Sequence, residues 1–422
     1  MPRMSNDPAQ PRRAALPATT DARLSAPPDV LSRSPARAIG LIALFISTFC
    51  ELSGLFLFAP LLLFTLRGLG FDSAEIGWFS ASQWLGMVVA APFSSGWVRR
   101  LGAKPALVAS GLLPCLAILL ITLGIERGHH PLLWAGLYLV AGAAATLRWI
   151  VAEATVATLA PPAWRGRLVG LYATLVGSTF VIGPTLLAAL GTDGGGAHQA
   201  RWVAVWLLAT GVLLTLGVPS VPKTDAAETT SAGVSGLLQA LRSSPGVAVA
   251  GFIGGFFEAG LSGLLPLYGL SQGLSPTQST LLVSASGLGS ALMMLPAGLA
   301  ADRWPVHRVW LFCARINLLG CLLLPALVLW PVLQPASWAI AFLWGGAGGA
   351  LYTLAMVDTG HRFQGDALVS ATGLLVLAYT LGGLCAPAFG GMALQWGGTL
   401  GLPMLLMAVA SLGQGILSRT KN

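Results

Sequence analysis

Twelve stretches of the chain are long and apolar enough to cross a bilayer as α-helices, which takes about 20 residues each. The first six cover approximately residues 38–66, 76–97, 103–125, 132–159, 168–190 and 202–218. The second six cover approximately 247–270, 279–301, 309–332, 338–357, 368–391 and 400–417. The longest internal connector, 219–246, lies between the two sets and is rich in Ser, Thr, Ala and Pro. This pattern predicts an all-α integral membrane protein. An N-terminal six-helix bundle (38–218) and a C-terminal one (247–418) are joined by a cytoplasmic linker and flanked by tails at 1–37 and 419–422.

Composition agrees with the pattern. Hydrophobic residues make up 55% and charged residues 9% of 422, against about 25% charged in an ordinary soluble chain. Lipid is the solvent that such a surface fits. The five cysteines (Cys50, Cys115, Cys313, Cys321 and Cys385) all fall inside apolar runs and form no Cys-x-x-Cys pair. They read as small packing residues, with neither a disulfide frame nor a metal site. The first 37 residues hold six Arg, three Asp and seven Pro without an apolar core. That is a disordered cytoplasmic tail rather than a signal peptide, and Met1 and Met4 both qualify as its start.

The net charge of +8 raises nucleic acid or an anionic membrane surface as partners, and its distribution decides between them. With both termini inside, cytoplasmic segments hold 18 of the 23 Lys and Arg, and outer loops hold three, Arg67, Arg127 and Arg201. Arg148 and Arg315 lie within apolar runs. This bias places both ends in the cytoplasm of a bacterial inner-membrane protein. The basic residues form no stripe and no nucleic-acid motif.

A shift of 203 residues superposes Gly70 on Gly273, Gly86 on Gly289, Gly142 on Gly345 and Gly170 on Gly373. So glycine-rich a chain gives about three such pairs by chance. The connectors add weight: Arg99-Arg100-Leu101-Gly102 meets Asp302-Arg303-Trp304-Pro305, and Gly183-Pro184 meets Ala386-Pro387. Each half then begins and ends inside. The repeat is parallel, which suits alternating access about a central site.

The connector Gly298-Leu299-Ala300-Ala301-Asp302-Arg303-Trp304-Pro305-Val306-His307-Arg308 resembles the Gly-x-x-x-Asp-Arg-x-Gly-Arg-Arg signature of the major facilitator superfamily. Pro305 stands for the second glycine. The first-half copy departs further, with Ser95 in place of the glycine and Arg99 in place of the aspartate. The stretch Gly382-Gly383-Leu384-Cys385-Ala386-Pro387-Ala388-Phe389-Gly390-Gly391 is similar to the glycine-proline element that many exporters of the family carry in helix five. Here that helix keeps only Gly183-Pro184. Arg148-Trp149-Ile150-Val151-Ala152-Glu153, Arg165-Gly166-Arg167, Leu264-Leu265-Pro266 and Leu351-Tyr352-Thr353 resemble the YcaD-like bacterial branch. The resemblance covers 38–418. It implies the twelve-helix major facilitator fold, helix bends at Gly183-Pro184 and Ala386-Pro387, and a cytoplasmic gate at Asp302 and Arg303.

Charges in the apolar runs are the candidate chemistry, because an acid or base at mid-bilayer costs about 2.5–3.5 kcal/mol on insertion scales. Glu51 and Glu258 sit near the middle of the first and seventh runs. Ser47, Thr48 and Gly54 share the face of Glu51, and Gly251, Gly254, Gly255 and Ser262 share that of Glu258. Small and polar faces fit either a wet cavity or close helix packing. The functional reading is a site for protons or a substrate. The alternative is a protonated Glu bonded to a neighbouring carbonyl or hydroxyl.

Arg148 keeps its charge and must find an acid, a carbonyl or an anionic substrate. Glu153 lies five residues on, about 140° around the helix, too far to bridge Arg148. It is expected to brace a gate with Arg165, Arg167 or Arg99-Arg100. Asp358 and Arg362 crowd the connector after the tenth run as a gate or a solvated loop, and Arg315 reads as a snorkelling or structural cation. Trp84, Tyr172 and Tyr379, with Trp149 and Trp344, lie deep enough to stack on a substrate ring or to pack helices.

Gly269-Leu270-Ser271-Gln272-Gly273 matches Gly-x-Ser-x-Gly, but a loop between membrane helices is not the strand-to-helix turn that hydrolase chemistry needs. The chain has no Walker loop and no His-Glu-x-x-His. It reads as no enzyme, without cofactor or metal. The expected function is a secondary transporter moving a small organic solute by alternating access, coupled to protons and working as a monomer in lipid. The alternative is a non-transporting assembly factor or receptor on the same fold.

Overall fold

A computed structural model of the chain describes residues 35–128, 131–161, 164–220, 234–260 and 262–419. Most of the expected tails at 1–37 and 419–422, and much of the linker, lies outside them. The described residues form thirteen α-helices in order: α1 Pro35–Gly68, α2 Ser73–Leu101, α3 Ala103–Arg127, α4 Pro131–Leu159, α5 Arg165–Leu190, α6 Gly194–Leu216, α7 Val234–Ser243, α8 Pro245–Gly254, α9 Leu265–Ser271, α10 Pro276–Ala301, α11 Val306–Leu329, α12 Ala336–Arg362 and α13 Gly365–Arg419. A π-helical turn, Gly255–Gly260, extends α8.

Nine of these helices are long and apolar enough to cross a membrane, or ten when Pro245–Gly260 and Leu265–Ser271, bent by 60°, count as one span. Large apolar side chains cover the outside, among them Leu132, Leu213, Leu295 and Leu412. A surface of that kind is stable only against hydrocarbon.

Each apolar run falls mainly on helix, with instructive differences at the edges. The run at 202–218 begins eight residues earlier, at Gly194, because Gly-Gly-Gly-Ala-His-Gln is polar yet still helical. The run at 247–270 is broken by the π turn and the bend before α9. Runs eleven and twelve are continuous in α13 except at Gly398, whose φ of 57° is a conformation that a side chain disfavours.

Capping sets where several helices start. Asp72 accepts from the Glu75 N–H while the Glu75 carboxylate accepts from the Asp72 N–H, and Ser275 with Gln278 does the same for α10. Each satisfies two backbone donors at a helix N-terminus.

Contacts divide the helices into two groups. In the first, α1 lies on α5 and α6, α2 on α4, and α3 on α4 and α6. In the second, α10 lies on α12, and α8, α11 and α12 lie on α13. Between the groups α2 packs on α13 and α5 on α10. Each group has a matching helix pair, α2 with α4 and α10 with α12, that meets backbone to backbone. A methyl group on Gly86 would strike the Leu139 carbonyl and one on Gly142 that of Gln83. In the second group Gly289 stands against the Phe342 carbonyl and Gly345 against that of Ser286. All four second-group residues lie 203 positions after their first-group counterparts.

The two seams between the groups close at one end and part at the other. At the end bearing the 69–72 and 272–275 turns, Gly77 lies against the Pro387 carbonyl and Gly391 against that of Ser73, and Gln395 accepts from the Ser73 N–H at 3.2 Å. Along α5 and α10 the gap opens step by step. Thr185 and Ser284 hydroxyls are 3.0 Å apart, and a Cβ on Gly287 would lie 2.8 Å from Phe180. A Cβ on Gly177 would lie 3.8 Å from Ala291, and Gly170 and Gly298 have nothing within 4 Å. The molecule is open at the end bearing the 102 and 302–305 connectors.

Candidate functional site

Two separate clusters hold the buried glutamates Glu51 and Glu258. In the first, Arg148 of α4 reaches into α1, α3 and α6. Its Nη1 lies 3.2 Å from Glu51 Oε1 and donates to Thr215 Oγ1 at 3.3 Å and the Leu107 carbonyl at 3.5 Å. Its Nη2 donates to Ser47 Oγ at 2.7 Å and Thr48 Oγ1 at 3.3 Å. Thr48 in turn lies 3.4 Å from the Tyr172 hydroxyl. Glu51 and Arg148 are 3% and 5% exposed, so the pair is cut off from water. Gly111 and Gly211 make the room: a Cβ on either would run into the Glu51 side chain. The helical spacing that puts Ser47 and Thr48 beside Glu51 therefore supplies two hydroxyls to Nη2 of the guanidinium, while its Nε has no hydrogen-bond partner among the described residues.

In the second cluster Glu258 sits in the π turn and meets only neutral donors. Ser290 of α10 donates to its Oε1, and the Tyr379 hydroxyl of α13 donates to Oε2 at 3.1 Å. Gly348 and Gly349 of α12 leave the recess, a Cβ on Gly349 falling 3.1 Å from Oε1. The glycine face of α8 and its π turn serves close packing: Gly254 against Gly348 and Tyr352, Gly255 against Tyr379. Ser262 caps the Glu258 carbonyl at 2.6 Å. A π turn carries one residue more per turn than an α-helix and recurs at functional sites. Here it carries the one acid of that helix.

The aromatics complete the second cluster. Tyr352 and Tyr379 rings are 4.8 Å apart. Trp84, from α2 of the other group, stands edge-on to Tyr379 at 6.4 Å, seated where Gly383 has no side chain. Trp84 and Tyr379 thus meet across the seam where the groups begin to part. Tyr172 belongs to the first cluster, and Trp344 is core, against Phe257. Among the six residues expected at a substrate or proton site, the structure joins Glu51, Arg148 and Tyr172 in one cluster and Glu258, Tyr379 and Trp84 in the other.

The gate residues lie at the open end. Arg99, Arg100, Arg165, Arg167, Asp302 and Arg303 are all exposed. Arg167 lies 5.5 Å above the Trp164 ring. Asp358 is buried and pairs with Arg362 Nε at 3.0 Å. Glu153 forms no ion pair with the connector arginines among the described residues. Arg315 is exposed on α11. Gly183-Pro184 and Ala386-Pro387 both lie inside continuous helix. Gly183 admits Phe56 and Leu57 of α1, and Ala386 packs on Gly260.

Sequence reasoning missed Ser290, Thr215 and the site role of Tyr352. Nothing distinguishes a serine in a Gly/Ser-rich helix until the carboxyl it faces is known. All five cysteines are free, and no group of three or more His, Cys, Asp or Glu among the described residues is placed to hold a metal ion.

The pattern of the Major Facilitator Superfamily matches residues 44–280 and, a second time, 247–419. An uncharacterised MFS-type transporter, YcaD of Salmonella arizonae, is 28% identical over 329 residues, 76% of this chain and 80% of its own. Two solved structures share the fold. The nucleoside transporter NupG has a TM-score of 0.70 at 14% identity, over 90% of this chain and 100% of its own. A bacterial homologue of the human lysosomal transporter Spinster, inward-facing and unoccupied, has a TM-score of 0.69 at 15% identity, over 92% and 98%. With the family pattern spanning nearly all of the described helices, the chain belongs to the major facilitator superfamily and is a multi-pass membrane transporter.

Proposed function

We propose that the protein is a proton-coupled secondary transporter of a small organic solute, working by alternating access between two six-helix bundles, α1–α6 and α8–α13. In this reading α2 is also a crossing, and α13 makes two that meet at Gly398. The chain then crosses twelve times with both ends in the cytoplasm, as the 18-to-3 distribution of Lys and Arg favours. Support for a parallel repeat comes from two glycine contacts in the first group, each reproduced 203 residues on, and from the double match of the family pattern.

The observation that carries the proposal is the seam: closed at one end, open at the other, with Glu258, Tyr379 and Trp84 where it parts. With the positive end inside, the open end faces the cytoplasm, so this is the inward-open state. Transport then needs a second state in which the open end closes. The exposed gate residues Asp302, Arg303, Glu153, Arg99, Arg100, Arg165 and Arg167 are available to pair in that state, and Asp358–Arg362 holds the end of α12 in both.

Glu258 is the proposed proton carrier. Ser290 and Tyr379 can bond either its charged or its neutral form, since both hydroxyls also accept. Glu51 is held by a fixed cation and is better suited to bracing the first bundle.

Two measurements test this. Cysteine pairs at Thr185/Ser284 and at Gly170/Gly298 are expected to cross-link in alternation, the first pair in the inward-open state and the second when the cytoplasmic end is shut. Failure of Gly170/Gly298 to cross-link under any condition, with Thr185/Ser284 always joined, removes alternating access. In proteoliposomes, Glu258→Gln is expected to abolish proton-driven accumulation while sparing exchange at equal solute concentrations. Accumulation by this variant at the wild-type level moves the proton site elsewhere.

A further inference from the structure

The linker between the bundles carries a helix of its own, α7, which lies on α8 and α13. It ends at Ser243, and two residues on Pro245 opens α8, the first part of the bent span. Ser244 between them is buried, and its N–H donates to the Ala240 carbonyl at 2.9 Å. So short a joint holds α7 at the height where the chain enters the membrane. Its neighbours on α13 give the same height. Ala240 is buried with Ala371 and Leu374, in the first turns of the apolar span that begins at Ser370.

The side chains of α7 fall on three faces. Ala240 faces the bundle, with Leu237, Ala248 and Phe363 packed around its contact. With Ala240 as the origin of a helical wheel, Leu237, Leu241 and Leu238 lie at about 60°, 100° and 160°. Arg242, Gln239 and Ser243 follow at about 200°, 260° and 300°. The polar arc is thus centred opposite Leu237 and Leu241, with the bundle on one flank and Leu238 on the other. Arg242, Gln239 and Ser243 are exposed, and so are Leu238 and Leu241, at 50% and 42%. In water these leucines and Leu237 would make an apolar strip with nothing to bury it. A helix lying in a bilayer surface against a protein wall has this arrangement: polar groups up, leucines down and outward, a small residue against the wall.

We propose that α7 is an interfacial helix that binds the bilayer surface at the open end of the molecule. Leu237, Leu238 and Leu241 sit among acyl chains at the headgroup boundary, and Arg242 sits at the level of the lipid phosphates. The linker thereby pins the starts of α8 and α13 at a set depth. The test places a nitroxide on Leu238→Cys, Gln239→Cys, Leu241→Cys or Arg242→Cys, in full-length protein whose five native cysteines are replaced by alanine, in nanodiscs. Oxygen, which concentrates among acyl chains, and a nickel chelate, which stays in water, serve as the two relaxing agents. An oxygen-to-nickel ratio several-fold higher at 238 and 241 than at 239 and 242 is expected. Equal ratios at all four positions overturn the proposal, and so does protection of 238 and 241 from both agents, which means that protein covers them. Unmodified protein gives a second reading that no substitution disturbs. A phospholipid carrying a diazirine near its acyl carbonyl is expected to label Leu238 and Leu241 on irradiation. Labelling of the spanning helices without adducts on α7 also overturns the proposal. Neither measurement involves transport, so either outcome leaves the proposed function as it stands.

Discussion

The two buried glutamates occupy matching helices and recesses made by glycine, yet their surroundings are opposite in kind. Glu51 faces a guanidinium tied to four helices of one bundle. Glu258 faces two hydroxyls, one of them on a tyrosine that reaches the other bundle through Trp84. A fixed counter-ion keeps a carboxylate charged and its neighbours in place. Hydroxyls that both donate and accept leave the protonation state free to change. The two acids thus share recesses made by glycine and differ in what they bond.

The largest effect that could break this contrast is at Arg148. Arg148→Met leaves Glu51 buried without its counter-charge and is expected to cost about 3–5 kcal/mol, read from denaturant unfolding in micelles. Adding Glu51→Gln should recover most of the loss, because a neutral amide needs no counter-ion. A single variant as stable as the wild type would show that the pair braces nothing.

The gate copies come next, because the halves differ there too. If Asp302 locks the closed state as proposed, neutralising it should remove a charge-assisted contact of about 1–3 kcal/mol. Asp302→Asn should therefore raise cytoplasmic probe accessibility by roughly five- to 150-fold. Arg99 occupies the matching position in the first half, so Arg99→Asp is expected to change accessibility less. The reverse order would mean that the first copy is the working lock.

The smallest effect is the most diagnostic. Tyr379→Phe removes one donor from Glu258 and nothing else. A loss of about 1 kcal/mol fits a neutral acceptor, and about 1.5–3 kcal/mol fits a charged one. Unfolding measured for this variant alone and with Glu258→Gln separates the two, and additivity would show that the hydroxyl does not bond the acid.

The sequence made the helices legible, and part of the chemistry, because a bilayer demands long apolar runs and penalises any charge within them. It put Ser47 and Thr48 beside Glu51 through helical spacing alone. The Arg148–Glu51 pair was not legible: 97 residues separate its members, and only packing of α1 on α4 brings them together. The repeat was visible as glycines at chance frequency. Its better evidence, carbonyls of Gln83 and Ser286 or Leu139 and Phe342 at matching contacts, involves residues with no identity to detect. The π turn around Glu258 was also hidden, since hydropathy reads 247–270 as one uninterrupted helix. Glu153 was assigned to a gate by its neighbours in sequence, and the fold gives it no ion pair with them among the described residues.

The glycine contacts between α2 and α4 have a mechanical consequence. Trp84 and Gly86 are two residues apart on α2, on nearly opposite faces, so one helix presents an indole to the seam and its bare backbone to α4. At Gly86 and Gly142 no side chain separates α2 from α4, so a backbone shift of one helix there meets the other directly, while Phe79 stacked on Tyr138 packs the pair farther along. A shift of the Trp84 indole at the seam would be handed through this contact to α4, the helix that carries Arg148.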